Sequence, residues 1–326
     1  MRTRRSSLPL TAMLAIASSI VMHTASAQQQ TKPPAPKFLP MPQSAQRLPT
    51  QEGDKAYAAY QLGLYREAMQ EAETRAKANP KDGAAFTLIG ELYAKGFGVK
   101  PDLTKAGQNF QKAAAAGDAQ GQYALAMLKL EGKGIAKDEP GARALLEKAA
   151  AKVPAAAYAF GLMLLTDGKA DSDRRAVTLF QDAALRGDAD AQYGLAVLYK
   201  EGRGVPKSSS DAALWMGRAA LSKNVAAETE YGIMLFNGEG VAKNEQAAAA
   251  MFRRAAEKNG AVAQNRLARL YFAGRGVRRD LVEGAKWAIL SNAQGLKDPW
   301  LDDAMRELTP GERRQAEEAV QRFLSP

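Results

Sequence analysis

From residue 84 to residue 298, apolar side chains recur at intervals of three and four, in short runs interrupted by glycine at regular distances. Phe86, Ile89, Leu92 and Tyr93, with Gly90 among them, form one such run, and Leu195, Leu198 and Tyr199 form another. That spacing lines up one face of an α-helix. After the glycine break a second stripe begins: Ala106, Phe110, Ala113 and Ala114 lie on one side of a helix predicted from about Asp102 to Ala116. The predicted unit is a helical hairpin.

The break itself is repeated. "ELYAKGFGV" at 91–99 returns as "MLKLEGKGI" at 127–135, "VLYKEGRGV" at 197–205, "IMLFNGEGV" at 233–241 and "RLYFAGRGV" at 269–277. Its paired glycines are Gly96 and Gly98, Gly132 and Gly134, Gly202 and Gly204, Gly238 and Gly240, and Gly274 and Gly276. With the worn copy at Gly168, the first glycines are separated by 36, 36, 34, 36 and 36 residues. The pairs Ala113-Ala114, Ala149-Ala150, Ala183-Ala184, Ala219-Ala220 and Ala255-Ala256 keep the same phase. A fixed period in this range signals a stacked repeat array.

Each marker has a physical reading. The first glycine can take the left-handed conformation that closes a helix end. The second keeps the turn narrow, and Val99, Ile135, Val205, Val241 and Val277 plug the loop into the core. The alanine pairs let the next hairpin approach closely. Phe110, Leu146, Phe180, Trp215, Met216, Phe252 and Trp287 fill the remaining space as core residues. Five phosphate cradles in one chain are not expected, because neither a Gly-Lys-Ser/Thr loop nor a three-glycine dinucleotide fingerprint after a strand is present.

The pattern Leu-Tyr-x-x-Gly-x-Gly-Val, a polar loop, an aromatic, Ala-Ala and often Gly-Asp resembles the Sel1-like repeat, a relative of the tetratricopeptide repeat. It covers six units: 84–118, 119–154, 155–188, 189–224, 225–260 and 261–298. Residues 51–83, with Tyr65-Arg66-Glu67-Ala68 and Asn79-Pro80, look like a tetratricopeptide hairpin capping the amino end, and 299–326 read as a polar capping segment with a helix start at Thr309-Pro310-Gly311-Glu312. The chain lacks the cysteine pairs that staple some exported relatives. The resemblance implies an all-α fold, an α-solenoid in which stacked hairpins form a right-handed superhelix with an extended concave face. It also implies an adaptor, since exported bacterial members look like partners or regulators of envelope signalling and surface assembly.

Composition narrows the chemistry. Arg2, Arg4 and Arg5, the apolar stretch Leu8 to Met22 and Ala25-Ser26-Ala27 read as a secretory signal peptide over 1–27, and the proline-rich segment 28–50 reads as a linker. Export into the periplasm is the expected destination. No later segment is apolar enough to span a membrane. With no cysteine, and with its one histidine, His23, inside the signal segment, the mature chain has no thiolate or imidazole for a metal site or triad. No cofactor, metal or catalytic residue is expected. No Ser-x-x-Lys motif supports penicillin hydrolysis, and Glu91, Glu131, Glu201 and Glu239, spaced with the repeat, read as solvated helix ends.

The net charge of +10, less the three signal arginines, leaves +7 on the mature chain. Residues 251–290 hold nine basic side chains against three acidic ones. Outside the cytoplasm such a surface suits acidic proteins or anionic glycans rather than nucleic acid. The sequence therefore predicts a non-enzymatic scaffold that binds another envelope protein or peptide through its inner helices and the patch of Arg253, Arg254, Arg266, Arg269 and Arg275. The alternative is direct binding of an anionic polymer, an exopolysaccharide or peptidoglycan, through the same patch.

Overall fold

A computed structural model of the chain describes residues 54–325. The expected signal peptide over 1–27 and the linker over 28–50 lie outside the described residues. Among those described there are sixteen helices and no strand. They pair in order: α1 (Lys55–Gln61) with α2 (Tyr65–Ala78), α3 (Gly83–Lys95) with α4 (Leu103–Ala115), α5 (Ala119–Glu131) with α6 (Glu139–Ala149), and α7 (Pro154–Leu165) with α8 (Ala170–Leu185). Then follow α9 (Ala189–Glu201) with α10 (Ser209–Leu221), α11 (Val225–Asn237) with α12 (Glu245–Glu257), α13 (Ala261–Ala273) with α14 (Leu281–Ala293), and α15 (Pro299–Arg306) with α16 (Pro310–Leu324). The hairpins form two units, one ending at Asp188 and one beginning at Ala189.

Short polar side chains start most of these helices. Asp82, Asp102, Asp118, Asp138, Asn224, Asn244 and Asp280 each accept a backbone N–H in the first turn of the helix that follows, and Thr309 does so within a full capping box with Glu312. Each such cap contributes about 1 kcal/mol. Asp118 does more: it also accepts the Thr87 hydroxyl at 2.9 Å, fastening α3 to the start of α5.

Inside each hairpin, volume is matched across the pair. A Cβ added to Gly90 would lie 2.5 Å from the Phe110 ring, one on Gly161 2.5 Å from Phe180, and one on Gly232 2.7 Å from Phe252. Where the second helix carries Leu146 or Met216 instead, the partner positions hold Ala126 and Ala196, all four buried. In the sixth repeat the bulk changes sides, since Phe272 on the first helix presses on Gly284 of the second. A full aromatic ring thus needs a bare backbone opposite it, and a smaller side chain leaves room for a methyl group. In the unit that begins at Ala189, Phe252, Leu267, Trp287, Leu301 and Val320 belong to one continuous core running through three hairpins.

The loops are built alike. Gly96, Gly132, Gly238 and Gly274 close α3, α5, α11 and α13 in the left-handed conformation. The chain then returns to its own helix, with Asp102 donating its N–H to the Tyr93 carbonyl at 3.0 Å and Asn244 to that of Leu235 at 2.8 Å. The valines and Ile135 are half-buried, Val99, Val241 and Val277 packing on the core as expected.

The second glycine does more than narrow the turn. A Cβ on Gly98 would lie 3.0 Å from the Tyr65 and Arg66 backbone, and those on Gly134, Gly240 and Gly276 would collide with the backbone of Leu103, Ser209 and Glu245. Each of these contacts is the first turn of the preceding hairpin's second helix. The second glycine is therefore an inter-repeat joint. The third repeat lacks it, and there the two missing residues come out of the loop: α8 starts at Ala170 and runs 16 residues, against 13 for α4, α10, α12 and α14.

One expectation is corrected by the packing. Glu91 is buried rather than solvated, because the last turn of α3 lies against the preceding hairpin. Burial raises its pKa, Lys95 faces it at 3.5 Å, and the same ammonium donates to the Tyr60 hydroxyl at 2.7 Å. Of the four periodic glutamates only Glu201 is openly exposed, with Glu131 and Glu239 half-buried.

Candidate functional site

The five arginines singled out by charge all belong to the unit that begins at Ala189, and they do not form one patch. Arg254, on α12, is an internal fastener: its guanidinium pairs with Glu228 of α11 at 2.7 Å and donates to the Ala220 carbonyl at 3.0 Å. Glu228 is 0% exposed, and Lys258 completes its neutralisation at 2.8 Å. Arg253, exposed on the same helix, donates to the Tyr271 hydroxyl at 2.8 Å.

The other three come together. Arg266, Arg269 and Arg275 line a cleft of about 360 Å³ with Ile233, Phe236 and Asn237 of α11, Leu270 and Ala273 of α13, and Trp300 of α15, above the buried ring of Phe252. The cleft is therefore made mainly by the first helices of successive hairpins. Those helices lie side by side because the inter-repeat glycines let each loop settle on the hairpin before it.

Two of these three cations are already matched. Arg269 donates to both carboxylate oxygens of Asp298, each at 2.7 Å, and its guanidinium lies 5.0 Å from the centre of the Trp300 ring. Burial alone would raise the Asp298 carboxyl, but the hydrogen bonds from Arg269 and Asn265 outweigh it and hold the pKa at about 2. Arg275 forks onto Glu245 and lies 4.3 Å from the centre of the Phe236 ring; its hydrogen bonds hold the Glu245 pKa below the usual value. Arg266 is exposed and has no hydrogen bond or ion pair with another described residue.

The strongest features of the cleft were not among the residues singled out by charge. Asp298 and Glu245, which neutralise two of its arginines, lie outside the window in which the basic residues cluster. Trp300 is 44% exposed, whereas Trp215 and Trp287 are buried. Phe236 had only a weak signal: the other repeats carry Ala94, Leu130, Thr166, Lys200 and Phe272 at this position, so most hairpins have no aromatic there and one has a buried one. No lining residue of the cleft is a hydroxyl, thiol, imidazole or carboxylate. The lining residues offer no group that would exchange a proton near neutral pH. Among the described residues no cluster of three or more His, Cys, Asp or Glu could hold a metal ion, and no helix is long and apolar enough to cross a membrane.

Hairpins of nearly constant period and loop-to-helix joints define an α-helical repeat protein of the solenoid type. The family model described as Sel1 repeat matches residues 87–118, 119–152, 154–188, 189–224, 225–260 and 261–296, and the chain belongs to this family. It is similar in fold to a Sel1 repeat protein from Oxalobacter formigenes, at 24% identity and a TM-score of 0.64, over 74% of this chain and 97% of that one. It is also similar to a protective antigen of uropathogenic Escherichia coli displaying an SLR fold, at 25% identity and a TM-score of 0.50, over 80% of this chain and 64% of that one. Comparison with curated proteins gave no match. Sel1 repeat proteins generally mediate protein–protein interaction, and the repeat is generally a non-catalytic scaffold.

Proposed function

We propose that this protein is a non-enzymatic interaction scaffold of the bacterial periplasm, binding another envelope protein through the face built by its first helices. One observation carries the reading: on that face, Arg266 stands uncommitted beside Trp300 and Phe236. Exposed arginine and tryptophan around a small apolar depression are the residue types that carry most binding energy at protein interfaces. The location rests on the signal-like residues 1–27. A role in envelope signalling or surface assembly agrees with this placement.

Direct binding of an anionic polymer is the weaker reading, because Arg254, Arg269 and Arg275 are held by Glu228, Asp298 and Glu245. A polymer would meet far less net charge than the arginine count suggests. The deciding experiment is crosslinking in intact cells with tagged full-length protein, followed by mass spectrometry of the captured material at low and high salt. A discrete, salt-resistant protein partner supports the scaffold; polymer alone, or capture that salt abolishes, overturns it.

A further inference from the structure

Resting on the scaffold reading, we infer that the cleft between α11, α13 and α15 takes an extended acidic segment of the partner, placing one carboxylate on Arg266 and an adjacent aromatic or large aliphatic side chain against Trp300 and Phe236.

The charge arrangement selects the ligand. Both guanidinium groups that lie on the aromatic rings, Arg269 and Arg275, are forked onto carboxylates of this chain. They serve as rigid walls, with little charge left to offer. Arg266 is different, since no described side chain meets its cationic head, so it can accept a bidentate carboxylate from outside. One uncommitted cation calls for one carboxylate, whereas a polyanion binds by neutralising many charges at once.

Shape selects the rest. A cleft of about 360 Å³ with an apolar floor of Ile233, Leu270 and Ala273 holds one or two bulky side chains and no folded element. Trp300, nearly half exposed, gives a flat face on which an aromatic or branched side chain can stack. A second copy of this chain is a poor occupant, because each copy's net positive charge, +7 without the three signal arginines, opposes approach.

The test uses eight-residue peptides with a central Asp or Glu beside Phe, Trp or Leu, titrated onto the full-length protein and followed by tryptophan fluorescence and calorimetry. Saturable binding is expected, with a change in emission that Trp300→Phe removes. Replacing the peptide acid by its amide, or the bulky residue by alanine, should weaken binding at least tenfold, as should Arg266→Ala. Arg266→Glu should reject the acidic series and accept the matching lysine peptides. Arg314→Ala, which removes an exposed arginine of α16 that does not line the cleft and has no ion pair with another described residue, is the control for loss of one positive charge and should leave affinity unchanged. Circular dichroism establishes that each variant is folded. No saturable binding by any peptide at millimolar concentration, or equal affinity for the wild-type and Arg266→Ala proteins, overturns the inference. That failure is distinct from failure of the scaffold: a protein partner captured in cells equally well by wild-type and Arg266→Glu chains leaves the scaffold standing and removes the cleft as its site.

Discussion

Arg269 and Asp298 are 29 residues apart in the chain and meet through two hydrogen bonds of 2.7 Å, so that the carboxylate capping α15 also binds it to α13. This one carboxylate accepts from Asn265 as well, at 2.9 Å. The strength of this joint depends on the carboxylate's ionised form. Its pKa is lowered from 3.8 to about 2, so its contribution is complete above about pH 4 and is lost as pH falls towards 2. Asp298→Asn keeps a good capping residue but removes the charge. The stability gap between wild type and Asp298→Asn, followed by thermal unfolding, should narrow as pH drops through this window.

The match between Gly232 and Phe252 predicts a compensated pair. Gly232→Ala alone places a methyl group 2.7 Å from the ring and should destabilise by about 1–3 kcal/mol. Phe252→Leu alone should cost about 1–2 kcal/mol through the space it leaves. Together they recreate the combination found at Ala126 and Leu146, and the double variant should be more stable than the sum of the single losses by about 1 kcal/mol or more. Urea denaturation of the four proteins measures that coupling.

Gly134 and Gly168 share a positive φ, at +68° and +65°, but differ in surroundings. Nothing lies within 4 Å of a Cβ on Gly168, whereas one on Gly134 meets the Leu103 backbone. Gly168→Ala should therefore cost only the left-handed strain, about 1 kcal/mol, and Gly134→Ala about 3 kcal/mol or more. Equal losses would mean that the second glycine is not a joint.

Glu228, fully buried between Arg254 and Lys258, predicts a large single-site effect. Glu228→Ala should lower stability by about 3 kcal/mol, the lower end for breaking a buried pair, since the two cations can turn partly to water. Arg254→Ala should cost less, because Lys258 still neutralises the carboxylate. Arg266→Ala should be within about 0.5 kcal/mol of wild type. Chemical denaturation of these three variants separates the fastening arginine from the uncommitted one.

The architecture was legible because it is written several times over. A period carried by glycines, alanines and one bulky residue per hairpin needs no knowledge of three-dimensional contacts, and the helices follow from it. The site was only partly legible, for a geometric reason. Arg269 finds Asp298 29 residues away, and Lys200, Lys258 and Arg275 find Glu230, Glu228 and Glu245 at 30. Stacking a 36-residue repeat creates this offset, so counting charges in one stretch of sequence overstates how many are free. The same blindness hid Glu91, whose burial depends on the neighbouring hairpin. Trp300 lies beyond the repeats, where no register marks it as unusual.

The inter-repeat glycines have an evolutionary consequence. Gly240 meets the main chain of Ser209, and Gly276 that of Glu245, so the glycine contact itself is made with backbone and does not select the side chain that begins the helix, whereas Arg275 in the same loop does select Glu245. The glycine contact accepts any neighbour of the same kind. Duplication or loss of a whole hairpin can therefore preserve the glycine-to-backbone contacts of the repeats that carry both glycines, even where the charged pairs across a seam must change. Pairs such as Arg269 with Asp298 are keyed instead to particular neighbours, so individuality accumulates in the charges while interchangeability stays in the backbone.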